Sequence, residues 1–424
     1  MATADFLLDS FNISGTDFNE FKEADRKFAD ATHCKEVSVL ELPYFAHYAQ
    51  EYDNKEDKAP FFVLSKEALE TVNKGGRIQS GYVNRAKLPS KILMNESGSG
   101  NRLFVKFDNQ FVTFSDLTFG AFMQKAALDG AGLYVDDLLR NELIVNRLYR
   151  RGGKVKFVYR EATDPETGKK DVKIFGVMSS RYIYVPQTMI IDVYERIATG
   201  RDFNNPVSKG WSIDHGITRI YAEYPDEAKG GLIPGVEIKT SDNGMSSFIV
   251  NACERRERSN RYVIINTVSR VHRGDSSDLD EILKEVDEEI FPELRVYPAI
   301  FEELDKPIMP PLLTSADKDR QVEMLKDIYK KVFKSMKAGI SGKRKKELEK
   351  ALVDEINPDH EYTWKEIAEQ LISVPDRVIG LDETSTVFSA FRKDMGRAPF
   401  LLKDIKDKVV PFKTKEDEPE LVLA

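Results

Sequence analysis

The stretch "KVKFVYREATDPETGKKDVKIFGVM", residues 154–178, decides the fold. Two runs rich in β-branched and aromatic residues, 154–162 and 170–178, flank "TDPETGK". Pro165 and Gly168 supply turn chemistry there, so the segment predicts a β-hairpin. Strand-like segments dominate from this hairpin to about residue 272: "ITRIYAEY" at 217–224, "GVEIKT" at 235–240, "SSFIVNA" at 246–252 and "RYVIINTVSRV" at 261–271. Each is short, rich in β-branched or aromatic residues and bounded by Gly, Pro, Asp or Asn. A helix, "PQTMIIDVYERIATG" at 186–200, interrupts them, with Pro186 suited to a first turn and Gly200 to a helix end.

Upstream, Phe18, Phe21 and Phe28 recur at helical spacing within 17–31. Ser65 is a candidate N-cap for 65–76, which Gly75 and Gly76 would end. "LFVKFDNQFVTFS" at 103–115 reads as a second hairpin around Asp108-Asn109. Residues 116–130 and 134–149 read as helices. Downstream the composition changes at Gly274: residues 275–305 hold twelve acids against two bases and open as an amphipathic helix. A Pro-rich link at 306–313 leads to a Lys-rich helical pair over 315–356, broken at "AGISG", and to a helix at 362–373 with Thr363 and Glu366 as a capping box. Segregated strands and helices predict an α+β fold, with a β-rich central domain of mainly antiparallel strands and a helical C-terminal region. The expected division is a mixed N-terminal region at 1–135, the central domain at 136–273, the helical region at 274–411 and a tail at 412–424.

A chain of 424 residues, 41% hydrophobic, can bury two or three cores. Its formal net charge of -8 gives no global pull toward nucleic acid or membrane. Two cysteines, Cys34 and Cys253, exclude a disulfide framework and fit a reducing compartment. The N-terminus carries Asp5 and Asp9 and lacks the basic region of a signal peptide, and no apolar run approaches a membrane span. A cytoplasmic address is the expectation.

Motifs for catalysis, metals and cofactors are missing. "AGISGKRKK" fails as a phosphate loop because Arg344 follows Lys343 and Lys337 stands where Gly is needed, so it reads as a helix–helix turn. His33, His47, His215, His272 and His360 do not pair at metal-ligand spacing, and no Cys-x-x-Cys exists. Asp214 beside His215 is no dyad signal, because sequence neighbours rarely face each other. A Cys/His nucleophile would have to assemble in space, from Cys253 with His215 or His272. No cofactor is therefore expected, and an enzyme is the last-ranked reading.

One feature departs from the acidic average. Residues 140–160 contain seven bases and one acid, with Arg147, Arg150, Arg151, Lys154 and Lys156 interleaved with Tyr149, Phe157 and Tyr159. "ERRERSNRY" at 254–262 adds Arg255, Arg256, Arg258 and Arg261 beside Tyr262. Cationic side chains bind phosphates and aromatic faces stack on unpaired bases, so this belt is the candidate surface for single-stranded nucleic acid. The rival is a protein-interaction factor, an inhibitor or assembly component with neither nucleic-acid binding nor catalysis. It would use the acidic and basic helices against a host or phage protein or in a homo-oligomer. In the blandest case the belt docks on the acids of 275–305.

"GVMSSRYIYVPQTMIIDVYERI" at 176–197 and "IPGVEIKTSDNGMSSFIVNACERRERSN" at 233–260 resemble the phage- and plasmid-borne family called domain of unknown function 932. Ser179, Arg181, Tyr182, Pro234, Gly235, Ser241, Gly244, Ser246 and Ser247 carry the resemblance. It departs at the family's Cys-x-Asn-Gly element, where Arg261 replaces Gly and Cys253 lies upstream. It implies a mobile-element origin and no activity; Arg181 and Tyr182 join the candidate surface. By its own chemistry "SDNGMSS" is a turn, with Asp242 and Asn243 able to cap their own backbone and Gly244 free to take positive φ.

Overall fold

The computed structural model describes residues 6–40, 42–47, 58–76, 80–84, 87–89, 103–107, 110–116, 118, 142–143, 145–147, 149–150, 152–163, 168–199, 203, 205–256, 262–270, 279–377 and 386–408. In chain order its strands are β1 (Asn12–Gly15), β2 (Thr32–Ser38), β3 (Tyr44–His47), β4 (Lys58–Leu64), β5 (Ser80–Asn84), β6 (Leu103–Phe107), β7 (Gln110–Phe114), β8 (Lys154–Thr163), β9 (Lys170–Ser179), β10 (Val207–Asp214), β11 (Thr218–Glu223), β12 (Leu232–Thr240), β13 (Phe248–Arg256) and β14 (Tyr262–Arg270). The helices used below are α1 (Phe18–Ala31), α2 (Lys66–Asn73), α3 (Met189–Ala198), α4 (Leu279–Glu285), α5 (Phe291–Glu303), α6 (Ser315–Ser335), α7 (Gly342–Asp354), α8 (Trp364–Ser373), α9 (Thr386–Gly396) and α10 (Ala398–Lys408).

The strands form two sheets. One is six-stranded in the order β1-β10-β11-β12-β13-β14, antiparallel throughout. The other is eight-stranded in the order β2-β8-β9-β7-β6-β3-β4-β5, with β7 and β9 as its parallel pair. With helices gathered in the C-terminal region, the fold is α+β. The deciding hairpin forms as its pattern requires: Val155 pairs with Ser179 and Thr163 with Lys170, and Gly168 takes φ +67 in the turn.

The strands of 136–273 divide between the sheets. β8 and β9 join the N-terminal strands, and β10–β14 form the other sheet with β1. Alternation marks each strand but not the sheet it joins, because antiparallel hairpins pair locally and either sheet could accept them. The crossing at 180–206, which carries α3, separates the two sets.

The six-stranded sheet buries Trp211, Ile213, Ile220, Val236, Val250 and Ile265 in a continuous core with α1, α3 and the C-terminal helices. Phe21 and Phe28 of α1 are fully buried there, as their spacing predicts, and Asp17 caps the helix by accepting from Glu20 N–H at 2.9 Å. The eight-stranded sheet has its own core around Phe114, Phe157 and Ile174, covered by Leu69 of α2 and Val145.

The acidic helix has a break that follows from Pro292. α4 passes through a π segment, Val286–Ile290, into α5, with Phe291 N–H donating five residues back to Val286. Pro292 has no N–H to continue the ladder. The helical pair is α6 and α7, and the capping box at Thr363 and Glu366 forms in full. Among the described residues no helix is long and apolar enough to cross a membrane.

Candidate functional site

Position 160 of the hairpin's first strand holds an arginine with no solvent exposure. Its surroundings explain how a guanidinium survives there. Nη2 donates to Asp242 Oδ2 at 2.7 Å, and Nη1 donates to His215 Nδ1 at 3.1 Å. The rings of Phe28 and Phe175 each lie 4.3 Å from the guanidinium carbon, so the plane has an aromatic on either hand. Lys173, opposite Arg160 on β9, pairs with Asp9 at 3.0 Å. Burial pushes the Arg160 pKa down and Asp242 pushes it back up; the group remains a cation.

Two stretches some sixty residues apart, around Tyr182 and around Asp242, meet at this arginine. Tyr182 donates its hydroxyl to the Asp242 carbonyl at 2.7 Å. Gly244 takes φ +77, and a Cβ there would lie 2.6 Å from Met178 Sδ. Gly176 brings β9 so close that its own Cβ would stand 3.1 Å from that of Asn243. Ser241 and Asn243 hold the turn: Ser241 Oγ donates to Asn243 Oδ1 at 2.6 Å and accepts from Met245 N–H at 3.1 Å. Asp242 does not cap its own backbone as expected, because its carboxylate is committed to Arg160. His215 is engaged at both ring nitrogens, since Nε2 donates to Leu8 O at 2.5 Å. Burial and the neighbouring Arg160 push its pKa well down, so it is neutral. Asp214 instead caps the turn, accepting from Gly216 and Ile217 N–H at 2.6 and 2.7 Å.

Asp25 of α1 completes the buried set. It is fully buried, neither carboxylate oxygen finds a hydrogen-bond donor, and burial reinforced by Asp242 raises its pKa to about 7. The folded protein therefore keeps this proton up to about pH 7, whereas the unfolded chain releases it near 3.8. The stability Asp25 contributes is full below the unfolded value and is lost as pH rises through 7. Asp25→Asn should abolish this loss. Its unfolding free energy from urea titrations should fall less than wild type between pH 5 and 8, by an amount on the order of 3 kcal/mol. Equal falls in both proteins would show that Asp25 is already ionised.

Above this floor lies an open groove of about 570 Å³ at the outer strand of the eight-stranded sheet. Both faces of β2 line it, His33 and Lys35 on one and Cys34 and Glu36 on the other, together with Lys156, Tyr159 and Tyr184. His33 pairs with Tyr159 across the ladder, their rings 5.3 Å apart. Lys35 Nζ lies 4.8 Å from the Phe107 ring. Lys156 donates to the Tyr182 carbonyl at 2.6 Å, and Lys154 pairs with Glu36 at 3.0 Å. Burial pushes the Cys34 thiol up, with Lys156 opposing, so it is not a thiolate nucleophile. Burial and then Asp242 push up the Tyr184 hydroxyl, which ties the groove to the buried cluster beneath it.

The belt expected from the sequence is thus split. Lys156 and Tyr159 come together at the groove, and Lys154 lies beside it, paired with Glu36. Arg147 and Arg150 are exposed on the helical residues before β8, where Tyr149 anchors the chain by donating to Leu42 O and Leu64 O at 3.0 and 3.3 Å. Arg181 is exposed just past β9. Tyr182 is buried and holds the 241–247 turn, so it offers no stacking face. Arg255 lies on the other sheet, forked onto Glu223, with Nη2 at 2.9 Å from Oε2. Beside it Tyr221 and Tyr262 stack at 4.8 Å, Arg392 covers Tyr262, and Gly235 leaves the space that Tyr221 fills. Arg256 turns toward the C-terminal helices, against Phe301 and 3.5 Å from Glu369. Arg151, Arg258 and Arg261 lie outside the described residues. The acids of 279–305 pair with Arg270, Lys229, Arg397, Lys403 and Lys406. Alternation placed neither Tyr184 nor the edge strand β2 at this surface, since β2 reads as a mixed polar run of modest strand character. No protein-family model, curated protein or solved structure matches this chain.

Proposed function

We propose that the protein holds single-stranded nucleic acid along the β2–β8 edge, as a non-catalytic accessory factor of nucleic-acid metabolism. One observation carries the reading: Lys35 and Lys156 line a single open groove together with His33, Tyr159 and Tyr184. Cations meet phosphates there, tyrosine rings meet bases, and the hairpin beneath is held rigid by the buried Arg160. The resemblance at 176–262 to a phage- and plasmid-borne family adds a setting, a mobile-element protein in the host cytoplasm. The interaction-factor reading loses support because the acidic helix is docked on its own chain, with Ile282, Val286, Leu294 and Phe301 in the core.

Fluorescence anisotropy with a labelled oligothymidylate tests this. Tyr184→Ala should weaken binding by about 1–3 kcal/mol if one base stacks on it. Lys35→Ala should weaken it less and reduce the salt slope by about one contact's worth. Affinities unchanged in both variants would remove the groove as the binding surface.

A further inference from the structure

The strongest local charge in the chain is elsewhere. Residues 330–346, "KKVFKSMKAGISGKRKK", carry eight bases and no acid in a protein of net charge -8. They form the tip of the α6–α7 hairpin, where Lys330, Lys331, Lys334, Lys337, Lys343 and Lys346 are exposed. The tip is rigid. Ser341 caps α7 by accepting from Arg344 N–H at 3.2 Å, and Asp394 Oδ2 accepts from Lys337 and Ala338 N–H at 2.9 and 2.8 Å. Met336, Ala338 and Ile340 are buried beneath it. Asp394 is therefore spent on the backbone of the turn, and the ion pairs that reach the tip, Lys331 with Asp327 and Arg344 with Glu347, engage two of the eight bases.

We propose that this hairpin tip is a second contact surface, one that grips the phosphate backbone of duplex nucleic acid without reading its sequence. Charge complementarity supplies the affinity. Seven of the eight bases are lysines, compact point charges that lack the fork with which arginine reads guanine. The aromatic of the stretch, Phe333, is buried, so unpaired bases have nothing to stack on. An anionic membrane is the competing polyanion. The large hydrophobic residues exposed among the described residues are Leu40, Val207, Met245, Val296 and Leu313, none at the tip, so an apolar anchor for a bilayer is missing there. The surface does not depend on the β2–β8 groove.

The test uses the full chain, a labelled random-sequence duplex and a salt series. Changing Lys334, Lys337, Lys343 and Lys346 together to Gln should lower duplex affinity at least tenfold near 0.1 M salt and flatten the salt slope by about three. The corresponding Lys→Arg set should restore both. An unaltered melting temperature in the Gln set establishes that the fold is intact. Duplex binding by the Gln set equal to wild type overturns the proposal. So does a wild-type protein that binds phosphatidylserine vesicles but not duplex, or one that binds neither.

Discussion

Arg160→Met should destabilise the protein by about 3–5 kcal/mol, because it leaves Asp242 ionised, buried and without its cation. Asp242 is 2% exposed and Arg160 not at all, so water cannot replace the lost partner. The variant should also free His215 Nδ1 and open the space between the Phe28 and Phe175 rings. The double variant Arg160→Met with Asp242→Leu should recover most of the loss, since a pair of apolar residues leaves no orphaned charge. Urea unfolding read by tryptophan fluorescence suits this protein, whose two tryptophans, Trp211 and Trp364, are both buried. A single variant within about 1 kcal/mol of wild type would mean that Asp242 is not left buried and unpaired when Arg160 is lost.

Gly396→Ala should be comparably severe for a steric reason. A Cβ at 396 would stand 2.0 Å from the Ile264 carbonyl oxygen and 2.9 Å from its carbon, both backbone atoms of β14. No rotamer change relieves a backbone contact, so α9 must lift from the sheet. That movement would strain the hydrogen bond from Tyr297 Oη to Gly396 O and the Arg397 contacts to Ile265 O and Glu293. The expected cost is about 3 kcal/mol or more, at the upper end of overpacking penalties. A urea midpoint equal to wild type would place α9 farther from β14 than this packing requires.

Local chemistry made the elements legible. Strand-forming runs on either side of Pro165 and Gly168 define the hairpin, Phe21 and Phe28 define the buried side of α1, and Thr363 with Glu366 define the start of α8. Partnership across long separations was not legible. Arg160, in the middle of an alternating strand, looks like any solvent-facing base until Asp242, His215 and Phe28 converge on it from three other parts of the chain. Arg255 reads as part of a basic surface but is consumed by Glu223 of β11, two strands over and thirty-two residues away. Charge runs report which residues are basic. Whether a base faces solvent or a buried carboxylate depends on the sheet that carries it.

Whether the β2–β8 edge holds a single strand is read from the anisotropy of a labelled oligothymidylate with the wild-type chain at about 50 and 200 mM salt. Binding should be saturable, weaken as salt rises and be reduced by Tyr184→Ala. No anisotropy change at either salt would contradict it.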